Sequence, residues 1–294
     1  MGYILALLSS ASFGMIPLFS LPLLHAGMSA ESVLFYRFFF AALLMGGIVL
    51  VRRDALAGPV SELGALLGMS ALYMLAALLM IWGFAYLPSG VAATLQFLYP
   101  VLVMLIMVLF FHEKLRLSVV CAIVLALGGV FLLGGGMGDN KAVQPMGVLL
   151  LLLSALSNSL YIVGLHVVKP RHMTGLGVTF WVLAFGSLIC LGNALAMGSF
   201  SLPADLKELG IAFLLAAVTA ALSNLTLVLA IQRIGSTMAS VLGVMEPPTA
   251  VCVGILVFDE PSSASLWIGM CLICLSVLVV MLGPRLGSWR AKKQ

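Results

Sequence analysis

The chain has 294 residues, of which 63% are hydrophobic and 8% are charged, and its mean hydropathy is +1.24. One water-soluble core cannot bury so large an apolar fraction, so the composition excludes an ordinary soluble domain and predicts a polytopic membrane protein of the all-α class. The net charge of +4 comes from basic residues placed singly or in pairs at segment ends, a pattern that argues against a nucleic-acid interface.

Hydropathy and chain breakers predict ten transmembrane helices. The predicted spans are residues 3–24, 31–51, 63–86, 90–111, 117–134, 146–168, 177–197, 208–232, 235–258 and 265–283. The first is expected to be retained, because no charged n-region and no small-residue cleavage site precede or follow it as in a signal peptide. Residues 63–111 contain no charge and are too long for one crossing, so the Leu87-Pro88-Ser89-Gly90 turn divides them. The short connections leave no room for a soluble domain.

The distribution of Lys and Arg predicts the orientation. With a cytoplasmic N-terminus, the inside segments hold Arg52, Arg53, Lys114, Arg116, Lys169, Arg171, Arg233, Arg285, Arg290, Lys292 and Lys293. The outside loops hold only Lys141 and Lys207. Because cytoplasmic loops are enriched in Lys and Arg, both termini are predicted to be cytoplasmic, in a bacterial inner (plasma) membrane.

Comparison of the chain with itself predicts a duplication. A shift of 147 residues matches Leu87-Pro88-Ser89 with Ile234-Gly235-Ser236, Ala92 with Ala239, Pro100 with Pro247, Phe111 with Phe258 and Glu113 with Glu260. The shift is half of the chain length, so we expect two five-helix repeats, residues 1–147 and 148–294, within one membrane unit. Because five is odd, the second repeat should be inverted relative to the first.

Prolines near the middle of predicted spans indicate broken helices at mid-depth. Glu246 directly precedes Pro247 and Pro248, which should free the carbonyl groups of Gly243 and Val244 from helical hydrogen bonds. An acid at the bilayer midplane costs about 2.5–3.5 kcal/mol, so Glu246 is expected to face a cavity or a partner and to be a candidate for proton coupling. The other predicted breaks or hinges are Pro17, Pro100 and Gly164.

Polar and aromatic side chains at similar depth are the candidate substrate contacts. They are Glu246, Asn224, Gln96, Tyr99, Asn158, Tyr161, Tyr73, Trp82 and Arg37. Spans one, four, six and nine, with neighbours three and eight, are expected to line a central cavity. Other roles stay open at this point: Arg37 can reach toward the interface, the two asparagines can bond between helices, and each aromatic can serve packing.

Several motifs carry a family resemblance. In the second half they are Leu229-Ala230-Ile231-Gln232-Arg233-Ile234-Gly235, Met245-Glu246-Pro247 and Phe258-Asp259-Glu260. In the first half they are Tyr36-Arg37-Phe38, and Gly83-Phe84-Ala85-Tyr86-Leu87 through His112-Glu113-Lys114. Over nearly the whole chain they resemble EamA-type members of the drug/metabolite transporter superfamily. The resemblance implies ten helices in two inverted halves and, mostly, export of amino acids and related metabolites. Tyr99 stands before Pro100 where Glu246 stands before Pro247, so the repeat is chemically asymmetric.

The sequence gives little support to an enzyme. Gly136-Met137-Gly138-Asp139 matches the GxGD string of intramembrane aspartyl proteases, but Asp139 falls in an outside loop and no second buried Asp is available. Ser70 lacks a membrane-central histidine that could act as its base. The five cysteines lie in apolar segments without a partner set of ligands, so no metal and no cofactor are expected. No phosphate-binding loop is present, which argues against ATP-driven transport by this chain alone.

These observations predict a secondary transporter that exports amino acids or related zwitterionic or amphipathic metabolites by alternating access around a midplane cavity. A facilitator or importer of another small solute, such as a sugar, a nucleobase or a nucleotide-like compound, is the alternative. An intramembrane hydrolase is a remote one. The expected partners are the small solute, membrane lipid and, as a candidate coupling ion, protons, but not nucleic acid. Monomer and homodimer both fit the sequence.

Overall fold

The computed structural model describes residues 1–53, 59–111, 117–133, 144–168 and 173–291, without the side chains at 118–119, 166, 168, 228, 231–232, 235–241 and 280–291. The α-helices are α1 Gly2–Gly14, α2 Ile16–His25, α3 Ala30–Arg52, α4 Val60–Gly83, α5 Ser89–Gln96, α6 Tyr99–Phe111, α7 Leu117–Leu133, α8 Pro145–Val168, α9 Gly175–Ala196, α10 Leu206–Ala216, α11 Ser223–Leu242, α12 Glu246–Phe258 and α13 Ala264–Ala291. A π-helix, Ala217–Leu222, joins α10 to α11, and a 3-10 turn, Gly243–Met245, precedes α12. Outside this description lie Lys114, Arg116, Lys141, Lys169, Arg171, Lys292, Lys293, His112, Glu113, residues 136–139 and the side chains of Gln232, Arg285 and Arg290.

In the part of the chain that the structure describes, seven helical stretches are long and apolar enough to cross a membrane. They are Gly2–His25, Ala30–Arg52, Val60–Gly83, Ser89–Phe111, Pro145–Leu165, Gly175–Ala196 and Leu206–Leu227. Shorter apolar helices are found at Val120–Leu133, Gly243–Phe258 and Ala264–Val279. Since the regular elements in the described ranges are all helical, the prediction of an all-α, polytopic membrane protein is confirmed.

The helix α11 spans a point at which the sequence predicts a turn between two spans. A straight helix of its 20 residues would separate its ends by about 30 Å. Yet Ser9 Oγ donates to the Ser223 carbonyl, and Oγ of the adjacent Ser10 donates to the Gly243 carbonyl, both at 2.8 Å. Both ends of α11 therefore lie beside the same point on α1, so the chain reverses direction between them.

The most extensive helix contacts join the two halves of the sequence. They pair α1 with α11, α3 with α9, α4 with α8, α5 with α12 and α7 with α13. Small residues allow these close approaches: a Cβ added at Gly129 would lie 2.9 Å from the Gly269 carbonyl oxygen, and one at Gly90 would lie 2.9 Å from Val251 Cα. The helices of the first 147 residues thus form one packed body with those of the second.

Two helix breaks coincide with prolines that the sequence singled out. Met15 separates α1 from α2, and Pro17 lies in the first turn of α2, where a missing backbone N–H costs no helical hydrogen bond. Two residues, Phe97 and Leu98, separate α5 from α6, and Pro100 occupies the first turn of α6. Both predicted spans are therefore pairs of short helices.

The third break agrees with the prediction at Pro247, whereas the one expected at Gly164 is absent. The 3-10 turn ends at Met245, Pro247 follows in the first turn of α12, and the freed Gly243 carbonyl accepts its bond from a serine on α1. At Gly164, α8 continues without interruption. A Cβ there would lie 2.1 Å from Met69 Sδ, so this glycine permits close packing with α4 rather than a break.

Candidate functional site

A cavity of about 270 Å³ lies where the three broken helices meet. Its polar lining consists of Arg37, Tyr73, Gln96, Tyr99, Asn158, Tyr161, Thr179, Asn224 and Glu246. Its apolar lining consists of Phe13, Ile16, Ala76, Ala77, Met80, Ile162, Val182, Leu183 and Leu227. Ligand pockets in proteins commonly measure about 300–1,000 Å³, so this one is sized for a single small molecule.

Eight of the nine predicted contact residues line the cavity, and Trp82 does not. Tyr73, Ala77 and Met80 form the lining face of α4, whereas Trp82 lies nine residues after Tyr73, which is two and a half helical turns. Its side chain therefore points to the opposite side of α4, where it is 37% exposed. The prediction that Trp82 lines the cavity is wrong, because its helical phase directs it away from the lining face of α4.

Glu246 is positioned by the junction of α12 with α1. It is the first residue of α12, directly after the 3-10 turn. A Cβ added at Gly14 would lie 2.6 Å from the Glu246 carbonyl oxygen and 2.7 Å from Thr249 Cβ, so only glycine lets α1 approach this turn. The Thr249 hydroxyl donates to the Met245 carbonyl at 2.8 Å, which ties the first turn of α12 to the break. The Glu246 side chain faces the cavity.

Arg37 enters the cavity wall from α3 and is 4% exposed. Its Nη2 donates to the Thr219 carbonyl at 3.4 Å, while its Nε has no hydrogen-bond partner. Thr219 belongs to the π-helix Ala217–Leu222, a geometry that often marks functional sites. The predicted alternative in which Arg37 reaches the membrane interface does not apply, because its guanidinium is buried beside this carbonyl.

The amide side chains take different environments. Gln96 ends α5, is 7% exposed, and its Oε1 is buried without a hydrogen-bond partner. Asn224 Nδ2 donates to the Ala220 carbonyl, one turn earlier in its own helical segment, at 2.6 Å. Asn158 lines the cavity from α8. Asn224 Nδ2 therefore bonds to the π-helix that precedes it in the chain rather than across helices.

Tyrosines form an aromatic part of the wall. The rings of Tyr73 and Tyr161 pack with centroids 5.0 Å apart, and Tyr99 packs edge-to-face against Phe97 at 5.9 Å. Such pairs hold their rings in fixed orientations, which leaves an amphipathic surface toward the cavity.

The helix α9 contributes lining that the sequence analysis missed. Thr179, Val182 and Leu183 come from this helix, which has no proline and no charge in its span. Ser70 Oγ donates to the Val182 carbonyl at 2.6 Å, which joins α4 to α9. Ser70 thus serves a helix contact. Thr179 is one of three polar residues of this apolar span, with Ser187 and Asn193, but such residues also occur at helix contacts, so the sequence did not single it out.

The cavity brings one positive and one negative side chain together. Among its lining residues, Arg37 is the cation and Glu246 is the carboxylate, so their formal charges cancel. Within the ranges that the structure describes, no cluster of three His, Cys, Asp or Glu could hold a metal ion.

At the end of α5 away from the cavity, a carboxylate binds the helix. Glu260 accepts hydrogen bonds from the Ser89 and Gly90 backbone amides at 2.6 and 3.2 Å. Asp259, in the left-handed region with φ of 51°, turns the chain after α12 so that Glu260 reaches α5. We name this the Glu260–α5 contact; it joins the far ends of α5 and α12.

Comparison with known proteins bears on what this architecture does. The model of the EamA-like transporter family matches residues 1–135 and 145–282. The chain belongs to the EamA-like transporter family. This confirms the resemblance drawn from the motifs and identifies the protein as a multi-pass membrane protein of a transporter family.

Structural comparison agrees with the fold of this EamA-like protein. A crystal structure described only as that of a protein superposes with a TM-score of 0.66 at 17% sequence identity. The match covers 97% of this chain and 96% of that chain, so the similarity concerns the whole fold. Comparison with curated protein sequences gives no match.

Proposed function

We propose that this protein is a secondary transporter that exports amino acids or related zwitterionic or amphipathic metabolites. The observation that carries the proposal is the small cavity at the junction of three helix breaks, with Arg37 and Glu246 in its wall. Charged side chains inside a membrane are costly and commonly mark solute or ion pathways. Interrupted helices at mid-depth expose backbone polar groups where they line a cavity.

Ten crossings in two inverted repeats are part of the proposal, and the packing pattern supports it. Under the 147-residue shift, α1 corresponds to α8 and α4 corresponds to the segment that contains Ser223. The contact of α1 with α11 then corresponds to that of α8 with α4. Ala76 and Ser223 are counterparts, and the carbonyl of each accepts a hydrogen bond from a serine of the partner helix, Ser154 on α8 and Ser9 on α1. Labelling of single cysteines in the loops from each side would test the orientation.

Alternating access gives the Glu260–α5 contact a role. In the proposed orientation Ser89 and Glu260 both lie on the outer side of the membrane. This contact then holds α5 and α12 together between the cavity and the outside. Release of a solute to the outside then requires α5 and α12 to separate there. The packing of helices across the halves favours motion of paired helices around the cavity.

We propose that Glu246 couples solute exit to proton entry, because its carboxylate faces the cavity at the break of α12. A carboxylate that exchanges between proton and solute can link the two fluxes. The test is export from reconstituted vesicles with and without an imposed pH gradient. Wild-type flux should respond to the gradient and Glu246→Gln flux should not. An unchanged, gradient-insensitive flux in both proteins would refute proton coupling and leave facilitation.

The same vesicles test the function itself. A panel of radiolabelled amino acids, nucleobases and sugars should show saturable transport of amino acids. Transport of a sugar or nucleobase instead would favour the alternative substrate class. Absence of any transport across the panel would refute the proposal.

A further inference from the structure

Two polar side-chain atoms of the cavity wall have bonding capacity that the protein leaves unused. Arg37 Nε and Gln96 Oε1 are buried and have no hydrogen-bond partner. The Glu246 carboxylate faces the same cavity. Buried polar atoms are nearly always paired in native proteins, so unpaired ones in a cavity wall need an explanation, and a bound ligand would supply one. A ligand that fills this cavity must therefore supply both acceptors and donors.

The donors and acceptors have definite chemistry. Arg37 can only donate, and its planar guanidinium matches a carboxylate with paired hydrogen bonds. Ionised Glu246 and the Gln96 carbonyl oxygen only accept, as an ammonium group requires. The Thr219 carbonyl already holds Arg37 Nη2, so the guanidinium is oriented before any ligand arrives.

Charge balance limits the ligand further. Arg37 and Glu246 together carry no net charge, and both lie in a membrane interior where an uncompensated charge is costly. A ligand with only an ammonium would compensate Glu246 and leave Arg37 facing a cation. A ligand with only a carboxylate would do the reverse. A zwitterion placed with its charges opposed compensates both.

The rest of the wall is apolar. Ile16, Met80 and Leu183, among others, face the cavity between the polar groups. They suit an uncharged aliphatic or aromatic remainder of a small molecule. The volume of about 270 Å³ accommodates a single amino acid rather than a larger conjugate.

We propose that Arg37 binds the carboxylate of a zwitterionic solute, while Glu246 and Gln96 Oε1 bind its ammonium and the apolar wall binds its side chain. This assignment rests on the proposed function and makes both charges of the solute a requirement for binding. It names Arg37 and Gln96 as residues that determine specificity.

Matched ligand triples test the assignment with the wild-type protein. Each triple contains an amino acid, the amine without its carboxylate and the acid without its ammonium: L-leucine with 3-methylbutylamine and 4-methylpentanoate, and the corresponding sets for methionine and phenylalanine. Competition against labelled amino acid on the purified full chain gives the relative affinities. Sites built to bond a polar group reject ligands that lack it, so each truncated compound should bind about 100-fold more weakly or worse.

Variants then assign each charge to its residue. In Arg37→Gln the amine should compete as well as the amino acid. In Arg37→Lys the preference for the amino acid over the amine should partly return. In Glu246→Gln the acid should compete as well as the amino acid. In Gln96→Leu the affinity for every ligand with an ammonium group should fall. Trp82→Ala, a large aromatic outside the cavity on α4, is the control and should leave all ratios unchanged.

The outcomes separate the two proposals. If wild-type protein binds an amine or an acid as tightly as the amino acid, or binds no member of the triples, the assignment is refuted. If Arg37→Gln weakens all members of a triple equally, Arg37 only supports the π-helix and the assignment also fails. Transport of another solute in vesicles would then still uphold a transporter. Lack of all transport would refute the proposed function itself.

Discussion

Replacement of Glu260 by alanine should loosen the far end of α5. The substitution removes two charge-assisted hydrogen bonds to the Ser89 and Gly90 amides, at 2.6 and 3.2 Å. Each such bond contributes about 1.5–3 kcal/mol when well formed. Since Glu260 is only half-buried and one bond is long, we expect a total near 2–3 kcal/mol. That corresponds to roughly 30- to 150-fold in an opening equilibrium.

Hydrogen exchange of α5 in lipid nanodiscs measures this effect. Amides after Gly90 should exchange faster in Glu260→Ala by up to the same factor, and Glu260→Gln should show a smaller increase because it keeps one acceptor. Asp259→Asn is the matched control: it removes a neighbouring carboxylate, and Asn tolerates the left-handed conformation of Asp259, with its φ of 51°. Equal exchange of α5 in all four proteins would refute the reasoning.

Three further substitutions probe helix contacts and the cavity. Gly14→Ala should lower the melting temperature and impair transport, since its Cβ would meet the Glu246 backbone oxygen at 2.6 Å. Gly164→Ala is its comparison: the atom it meets, Met69 Sδ, belongs to a flexible side chain that can move, so thermal unfolding should change less. A greater loss at Gly164 than at Gly14 would contradict this account. Tyr99→Ala should change substrate preference in vesicle flux more than the yield of folded protein. Loss of folded protein in detergent would instead indicate a packing role.

Local rules predicted the parts of the site that depend on single residues. Proline cannot donate a helical hydrogen bond, so the breaks near Pro17, Pro100 and Pro247 followed from the sequence. The polar and aromatic residues predicted at mid-depth likewise had to find a cavity or a partner, and eight of the nine predicted contacts line one cavity. Both rules act within one turn of helix and need no knowledge of packing.

Features that depend on packing between helices were not predictable in the same way. The π-helix Ala217–Leu222 contains no proline and no glycine that would predict it. Its Thr219 carbonyl accepts a hydrogen bond from Arg37 only because α3 packs beside it. The prediction for Trp82 was wrong because packing against neighbouring helices decides which face of α4 lines the cavity, and Trp82 lies on another face. Gly164 was expected to break α8, but it serves the contact with Met69 instead.

The pairing of helices across the sequence midpoint bears on how the chain is made. The main packing partners of α1, α3, α4, α5 and α7 are all encoded after residue 144. During synthesis, the glycine-lined faces of the early helices must therefore contact lipid until the later helices have been inserted. An N-terminal fragment should be a poor folding unit, and its rescue by a separately expressed C-terminal fragment would reveal assembly after insertion.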